Sequence, residues 1–120
     1  MGYDIHNDIK HGPLELVDIG KLADDCSERW WNQSLVSVND CVVRMGVFLG
    51  EFHWHKHDRE DEVFTVLEGT LFVDIEGRGS FELGPRQAVM VPRGVVHRTR
   101  APVRTVVLMI EAATVVPTGD

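Results

Sequence analysis

His55-Lys56-His57-Asp58-Arg59-Glu60-Asp61-Glu62 is the stretch whose reading decides the fold. It reads as the end of one strand, a polar turn, and the start of the next. Alternate strand residues face one side, so His55 and His57 point the same way, roughly 7 Å apart at the backbone. Residues 58–61 then turn the chain so that Glu62 faces back across from His57. Two imidazoles and a carboxylate on one concave face make most of a divalent metal site. A distant histidine completes it, and His97 is the candidate because it closes a short signature of its own, Pro92-Arg93-Gly94-Val95-Val96-His97.

Outward from this stretch the chain reads as strand on both sides. Residues 35–38 and 41–49 flank the turn dipeptide Asn39-Asp40, and Gly50-Glu51 interrupts the run before a strand over 52–57. Downstream, 62–67 and 70–75 are joined by Glu68-Gly69, which reads as a tight hairpin. Gly77-Arg78-Gly79 predicts the next turn, 81–83 a short strand, and 88–91 a buried apolar run. Residues 97–100 and 104–110 finish the sheet, with 115–117 as an edge strand. Short strands at such spacing, punctuated by glycine and proline, predict an all-β sandwich or barrel.

The N-terminal part reads differently. Residues 1–13 form a polar arm carrying His6 and His11, mobile or used against another subunit. A single domain then runs over 14–120, with its barrel core at about 35–112 and a short strand at 14–18. Ile19, Leu22, Ala23, Cys26 and Trp30 follow helical spacing, with Asp18 as N-cap, so one short helix packs outside the sheet and closes at Trp30-Trp31. The adjacent tryptophans must point in different directions.

The whole is 120 residues with a formal charge of -7, 43% hydrophobic and 26% charged: one compact domain with room for a core. The acidic balance argues against nucleic acid or an anionic membrane as partner. No apolar run has bilayer length, and the start lacks a basic-then-apolar signal pattern. Cys26 and Cys41 suit small buried residues in a reducing cytoplasm rather than a disulfide framework.

His55-x-His57, Glu62 and Gly69 at these separations resemble the first signature of the cupin superfamily, and Pro92-x-Gly94-x-x-His97 resembles the core of its second. The chain is similar to small single-domain bacterial cupins of an uncharacterised group often labelled mannose-6-phosphate isomerase-like. The resemblance covers residues 42–111 and implies a double-stranded β-helix (jelly-roll) barrel holding a metal on His55, His57, Glu62 and His97. Three positions depart from the pattern. Gly50 lies one residue nearer to His55 than usual, Arg86 stands at the glycine that opens the second signature, and Ala101 replaces a frequent asparagine.

His53 shares a face with His55 and His57 in a regular strand. Three alternate residues span about 13 Å, too far for one ion. His53 is therefore a rim histidine, or a proton shuttle beside the site. Three imidazoles and one carboxylate suit one divalent transition metal ion, with Fe, Mn, Ni, Zn and Cu not distinguished. Arg93, Arg98, Arg100 and Arg104 would favour an anionic ligand if they faced the mouth, but alternation turns Arg98 and Arg100 outward when His97 is inward. Phe48, Phe64, Met90 and Met109 are the expected pocket walls. The functional expectation is a small metal-dependent enzyme of isomerase, cyclase, lyase or oxygenase type, acting on a small oxygen-rich or anionic organic molecule. The alternative is a non-catalytic metal or small-ligand sensor. Apolar sheet surface and the tryptophan pair predict a homodimer.

Overall fold

The computed structural model describes residues 3–120. Among these, eight strands and one helix follow in the order β1 (Asp4–His6), α1 (Ile19–Asp25), β2 (Trp31–Val38), β3 (Cys41–Glu51), β4 (Glu62–Glu68), β5 (Leu71–Ile75), β6 (Gly79–Leu83), β7 (Ala88–Val91) and β8 (His97–Ala112). The sheet path is β1-β2-β3-β8-β4-β7, and β5 pairs with both β6 and β8. This is the all-β jelly roll with one N-terminal helix that the sequence predicts, but its hydrogen-bonded sheet does not close into a ring. β6 and β7 remain edges facing each other.

β8 organises the architecture. β3 pairs antiparallel along it from Cys41↔Ala112 to Glu51↔Arg100. β4 takes its distal half, Glu62↔Glu111 to Glu68↔Val106, and β5 its proximal half, Phe72↔Arg100 to Ile75↔His97. β4 and β5 therefore run in the same direction along one partner, and Glu68-Gly69 is a corner, not the hairpin its dipeptide suggests. Gly69 is required there. Its φ is 88°, and a Cβ would lie 2.5 Å from Thr105 Oγ1 and 2.6 Å from the Arg104 carbonyl oxygen. Two short-range turns do match their sequence signals: Asn39, at φ 52°, starts the two-residue loop between β2 and β3, and β5 and β6 meet around Gly77.

Several local expectations are corrected by pairing. Residues 14–18 form no strand. Instead Asp4–His6, inside the supposed arm, add parallel to Trp31–Gln33, and Lys10 and His11 N–H donate to the carbonyls of Ser34 and Leu35. The helix is capped by Asp18, which accepts from Lys21 N–H, but it ends at Asp25, because residues from Trp31 onward are claimed by the β3 ladder. Residues 115–117 add no strand, and 88–91 is not buried: as an edge strand β7 covers only Val91 fully and leaves Met90 50% exposed. Cys41 is also exposed, while Cys26 is half-buried; both are free thiols.

Two apolar clusters flank the sheet. The inner one contains Trp30, Phe48, Phe52, Phe64, Val73, Val91, Val107 and Met109. The outer one joins Leu35, Met45, Val47 and Val106 to Leu22, Ala23 and Trp31, so α1 packs on the outside of the sheet, as its stripe predicts. The tryptophans diverge as expected, Trp30 inward and Trp31 outward. No helix among the described residues is long and apolar enough to cross a membrane.

Candidate metal centre

The site is assembled by two loops stitched across the open end of the inner cluster. Residues 52–57 do not form the regular strand predicted; a single antiparallel bridge, His55↔His97, replaces it. His55 N–H donates to the His97 carbonyl at 2.9 Å and His97 N–H returns to that of His55 at 2.8 Å. Gly94 N–H donates to the His57 carbonyl, and Arg93 N–H to Asp61 Oδ1 at 2.9 Å. The turn before β8 is thus fastened to the turn before β4. Arg86, at the position where the second signature usually has glycine, adopts φ 69°, so the backbone shape survives the substitution.

Four side chains converge. His55, His57, Glu62 and His97 each offer a donor atom, all within 4.8 Å of one another. Glu62 enters from the inward face of β4, which it shares with Phe64 and Val66. His97 and His57 are 1% and 2% exposed, and both Nε2 atoms lie 3.4 Å from Glu62 Oε1. Two rings are oriented by backbone: His55 Nδ1–H donates to the His53 carbonyl, and His97 Nδ1–H to that of Val95, each at 2.9 Å. Their Nε2 lone pairs are left for the centre.

The fit to a cation rests on what these atoms lack. Nε2 of His57 and His97 and Oε1 of Glu62 are buried without a hydrogen-bond partner among the described residues. Buried polar groups are rarely left so, because each unmade bond costs about 1–3 kcal/mol. Several orphaned donors aimed at one point, on a neutral-nitrogen and carboxylate set, match a divalent transition metal. Electrostatics agree. Burial pushes the His55 ring down to about 4, which keeps it a neutral ligand. Burial also works against the charged form of His57, but Glu62 beside it outweighs this and raises its pKa. Glu62 itself is buried, yet the two imidazoles hold it below the usual carboxylate range.

Beside the cluster lies a narrow pocket of about 20 Å³, room for little more than a water molecule, lined by Trp30, Phe48, Phe52, Phe64, Met109 and Pro117 around His55 and Glu62. Of the four predicted walls Phe48, Phe64 and Met109 are present. Met90 is not, because β7 turns it outward. The remaining lining is polar: Asn32, Thr99 and Glu111. Glu111 is 4% exposed and its Oε2 has no partner among the described residues, while Oε1 lies 3.9 Å from Arg44 Nε. Arg44 is in turn held by Asn32 Oδ1 at 3.0 Å and by Asn7. Burial, and then the neighbouring charge of Glu62, push Glu111 up to about 9.

Sequence reasoning misses Glu111 because the predicted strand stops at residue 110. Continuing the alternation from Val107 through Met109 would have placed an acid on the inner face.

A profile of the cupin domain matches residues 48–111. The chain belongs to the cupin family. It is 43% identical over 90 residues to the uncharacterised protein YdbB of Bacillus subtilis, covering 75% of this chain and 80% of that one. A cupin-2 domain protein of Shewanella frigidimarina shares the fold at a TM-score of 0.75 and 27% identity, covering 81% of this cupin and 94% of its own chain. The DMSP lyase DddQ of Ruegeria pomeroyi is similar in fold at a TM-score of 0.62 and 22% identity, over 70% of this chain and 47% of that protein.

The other sequence candidates fall outside the cluster. His53 is exposed, stacks on Phe52 at 4.2 Å between ring centroids, and donates from Nε2 to the Thr118 carbonyl at 2.6 Å, which makes it a rim residue. Arg98 and Arg100 turn away from the pocket, as alternation predicts, onto Asp74 at 2.8 and 2.6 Å. Arg104 caps carbonyls of Ala23 and Cys26 at the end of α1. His6 and His11 pair with Asp4 and Glu15, each at 2.7 Å.

Proposed function

We infer that this cupin is a metal-dependent enzyme acting on a small organic molecule that offers an oxygen to the metal. The carrying observation is the convergence of orphaned, buried donors on His57, His97 and Glu62 beside a pocket with one further acid. His55, His57, Glu62 and His97 would hold one divalent ion, with Fe, Mn, Ni, Zn and Cu all compatible with the donor set. Such an ion supplies Lewis-acid polarisation of a bound oxygen. Glu62 contributes the compensating charge and, with the two backbone-oriented imidazoles, fixes the ring geometry. The aromatic and methionine walls exclude water and grip an apolar body. Glu111 Oε2 is placed to hydrogen-bond a ligand hydroxyl or to hold a proton beside it.

Glu111 is what favours catalysis over the non-catalytic sensor. A storage or sensing barrel needs no free titratable group inside its pocket, whereas isomerase, cyclase, lyase or oxygenase chemistry must move or hold a proton or orient an oxygen. Among the described residues no lysine or arginine lines the pocket. Any charge on the ligand would therefore be met by the ion itself, which keeps one positive charge beside the single carboxylate of Glu62, and not by a basic side chain. A homodimer belongs to the same proposal. Its support comes less from the pair Trp30-Trp31, which is tucked in, than from Phe81, Met90 and Ile110, each 45–50% exposed. A cytoplasmic setting is supported by the two free cysteines.

Elemental analysis of protein purified without added metal, beside the double variant His55→Ala/His57→Ala, tests the reading. One metal ion per chain in the wild type and under a tenth of that in the variant is expected. Equal content in both would end the assignment.

A further inference from the structure

The three imidazoles of the centre are not held alike. His55 and His97 each donate an Nδ1–H to a backbone carbonyl, but neither nitrogen of His57 has a hydrogen-bond partner among the described residues, and the ring is 2% exposed. Its Nε2 is turned to Glu62. Beside the ring stand two acids outside the centre, Glu60 and Asp120, and a His57 nitrogen lies with one oxygen of each inside a 4.8 Å group. Among the described residues each acid is held at one oxygen. Glu60 Oε2 accepts from Thr114 Oγ1–H at 2.6 Å, and Asp120 Oδ2 accepts from Asp58 N–H at 2.7 Å.

Asp120 belongs to a tail segment laid over the loop that carries the histidines. Its N–H donates to the Lys56 carbonyl at 3.0 Å, and the Thr118 carbonyl accepts from His53. Pro117 forms part of the pocket wall. Gly119, at φ 95°, lies so close that a Cβ would come within 2.5 Å of His55 Cβ. The tail is thus shaped to the outer side of the centre.

We propose that Glu60 and Asp120 are the outer partners of His57, accepting its Nδ1–H when Nε2 faces the centre, so that cation binding and docking of residues 115–120 stabilise each other. The proposal rests on the metal-binding reading of the four-donor cluster. A histidine that binds through one nitrogen keeps a proton on the other, and the acceptor of that proton fixes the ring and raises its basicity. For His55 and His97 the acceptor is the local backbone. For His57 it is a carboxylate pair, one member of which sits on a separate segment. Coupling between two such events is reciprocal: whatever the tail adds to cation affinity, the cation adds to tail docking. Glu60 and Asp120 are positioning residues in this scheme, acting through His57.

The test is a Zn²⁺ titration of the full chain against a chromophoric chelator, with hydrogen exchange at the Asp58 amide read by NMR. Wild type is expected to bind one equivalent, and Zn²⁺ to slow exchange at Asp58 at least about tenfold. Glu60→Ala/Asp120→Ala, which removes both acceptors, should still bind one equivalent, roughly 10–100-fold more weakly, with Zn²⁺ protection at Asp58 lost. Asp120→Glu should restore most of both, and a dispersed amide spectrum for each variant confirms folding. Unchanged affinity in the folded double variant would overturn the proposal while leaving the centre intact. A second equivalent in wild type that the double variant loses would also overturn it, since the acids would then hold a cation of their own. Absence of Zn²⁺ binding in wild type would instead remove the four-donor centre, and this coupling with it.

Discussion

Replacing Gly69 by alanine tests the claim that the corner between β4 and β5 builds the site. The new Cβ would lie 2.5 Å from Thr105 Oγ1, 2.6 Å from the Arg104 carbonyl oxygen and 2.9 Å from Thr105 Cα. Thr105 is fully buried in β8, so the backbone there has nowhere to retreat. Three costs follow. Holding alanine at φ 88° costs about 1–2 kcal/mol, and overpacking against fixed backbone about 1–3 kcal/mol. Pushing Thr105 aside also loosens the two bonds of its hydroxyl, one accepted from Thr70 N–H at 3.1 Å and one donated to the carbonyls of Val103 and Thr70, 2.8 and 3.0 Å away. Each is worth about 1 kcal/mol.

The sum is about 4–7 kcal/mol. At roughly 3–6 °C per kcal/mol for a chain of this size, Tm should fall by at least about 12 °C. Gly77→Ala is the internal control. Its φ is 75°, but no atom lies within 4 Å of the place its new methyl would take, so only the conformational cost of about 1–2 kcal/mol applies. Thermal unfolding of metal-free protein, followed by circular dichroism, compares the two. Because Ile75↔His97 and Glu62↔Glu111 are both registered on β8, metal affinity should fall in Gly69→Ala and stay unchanged in Gly77→Ala. Equal Tm losses for the two variants would refute the claim that close approach, rather than left-handed backbone, sets the corner.

Other outcomes are equally direct. Saturation with a divalent metal at about 100 times its Kd should stabilise the fold by about 2.7 kcal/mol, seen as a Tm rise that a chelator reverses and His57→Ala abolishes. In metal-free protein, the raised carboxyl of Glu111 binds a proton that the unfolded chain releases, so its contribution to stability is lost as pH rises from about 4.5 toward about 9. Glu111→Gln should flatten that alkaline decline in denaturant titrations, and an unchanged slope would count against the assignment. His55 acts at the other end: its lowered pKa favours folding above about 6.5, and that stability drains as pH falls toward about 4. Asp74→Asn should destabilise the fold by about 1–3 kcal/mol through its bonds to Arg98 and Arg100, without altering metal affinity, since those arginines lie outside the pocket.

What the sequence determined was local or strictly periodic. Asp18 announces a helix start by its side chain alone, Asn39-Asp40 a two-residue turn, and the spacing of His55, His57, Glu62 and His97 a shared point, even though residues 52–57 are not a regular strand. The first two survive because each depends on neighbours in the chain, whereas His97, 35 residues after Glu62, is legible only through the signature that it closes. What the tertiary structure decided depended on which strands pair. Glu68-Gly69 looks like a hairpin until β8 is long enough to accept β4 and β5 end to end. Asp4–His6 carry no pattern, yet β2 offers them an edge. Ala88–Val91 read as core because they are apolar, and only their place at the sheet margin exposes Met90. Glu111 lay one residue past the predicted end of a strand, and the meeting of Asp120 with His57 joins positions 63 apart in sequence. No local rule reports contacts of that kind, because their energy exists only once the sheet has brought the partners together.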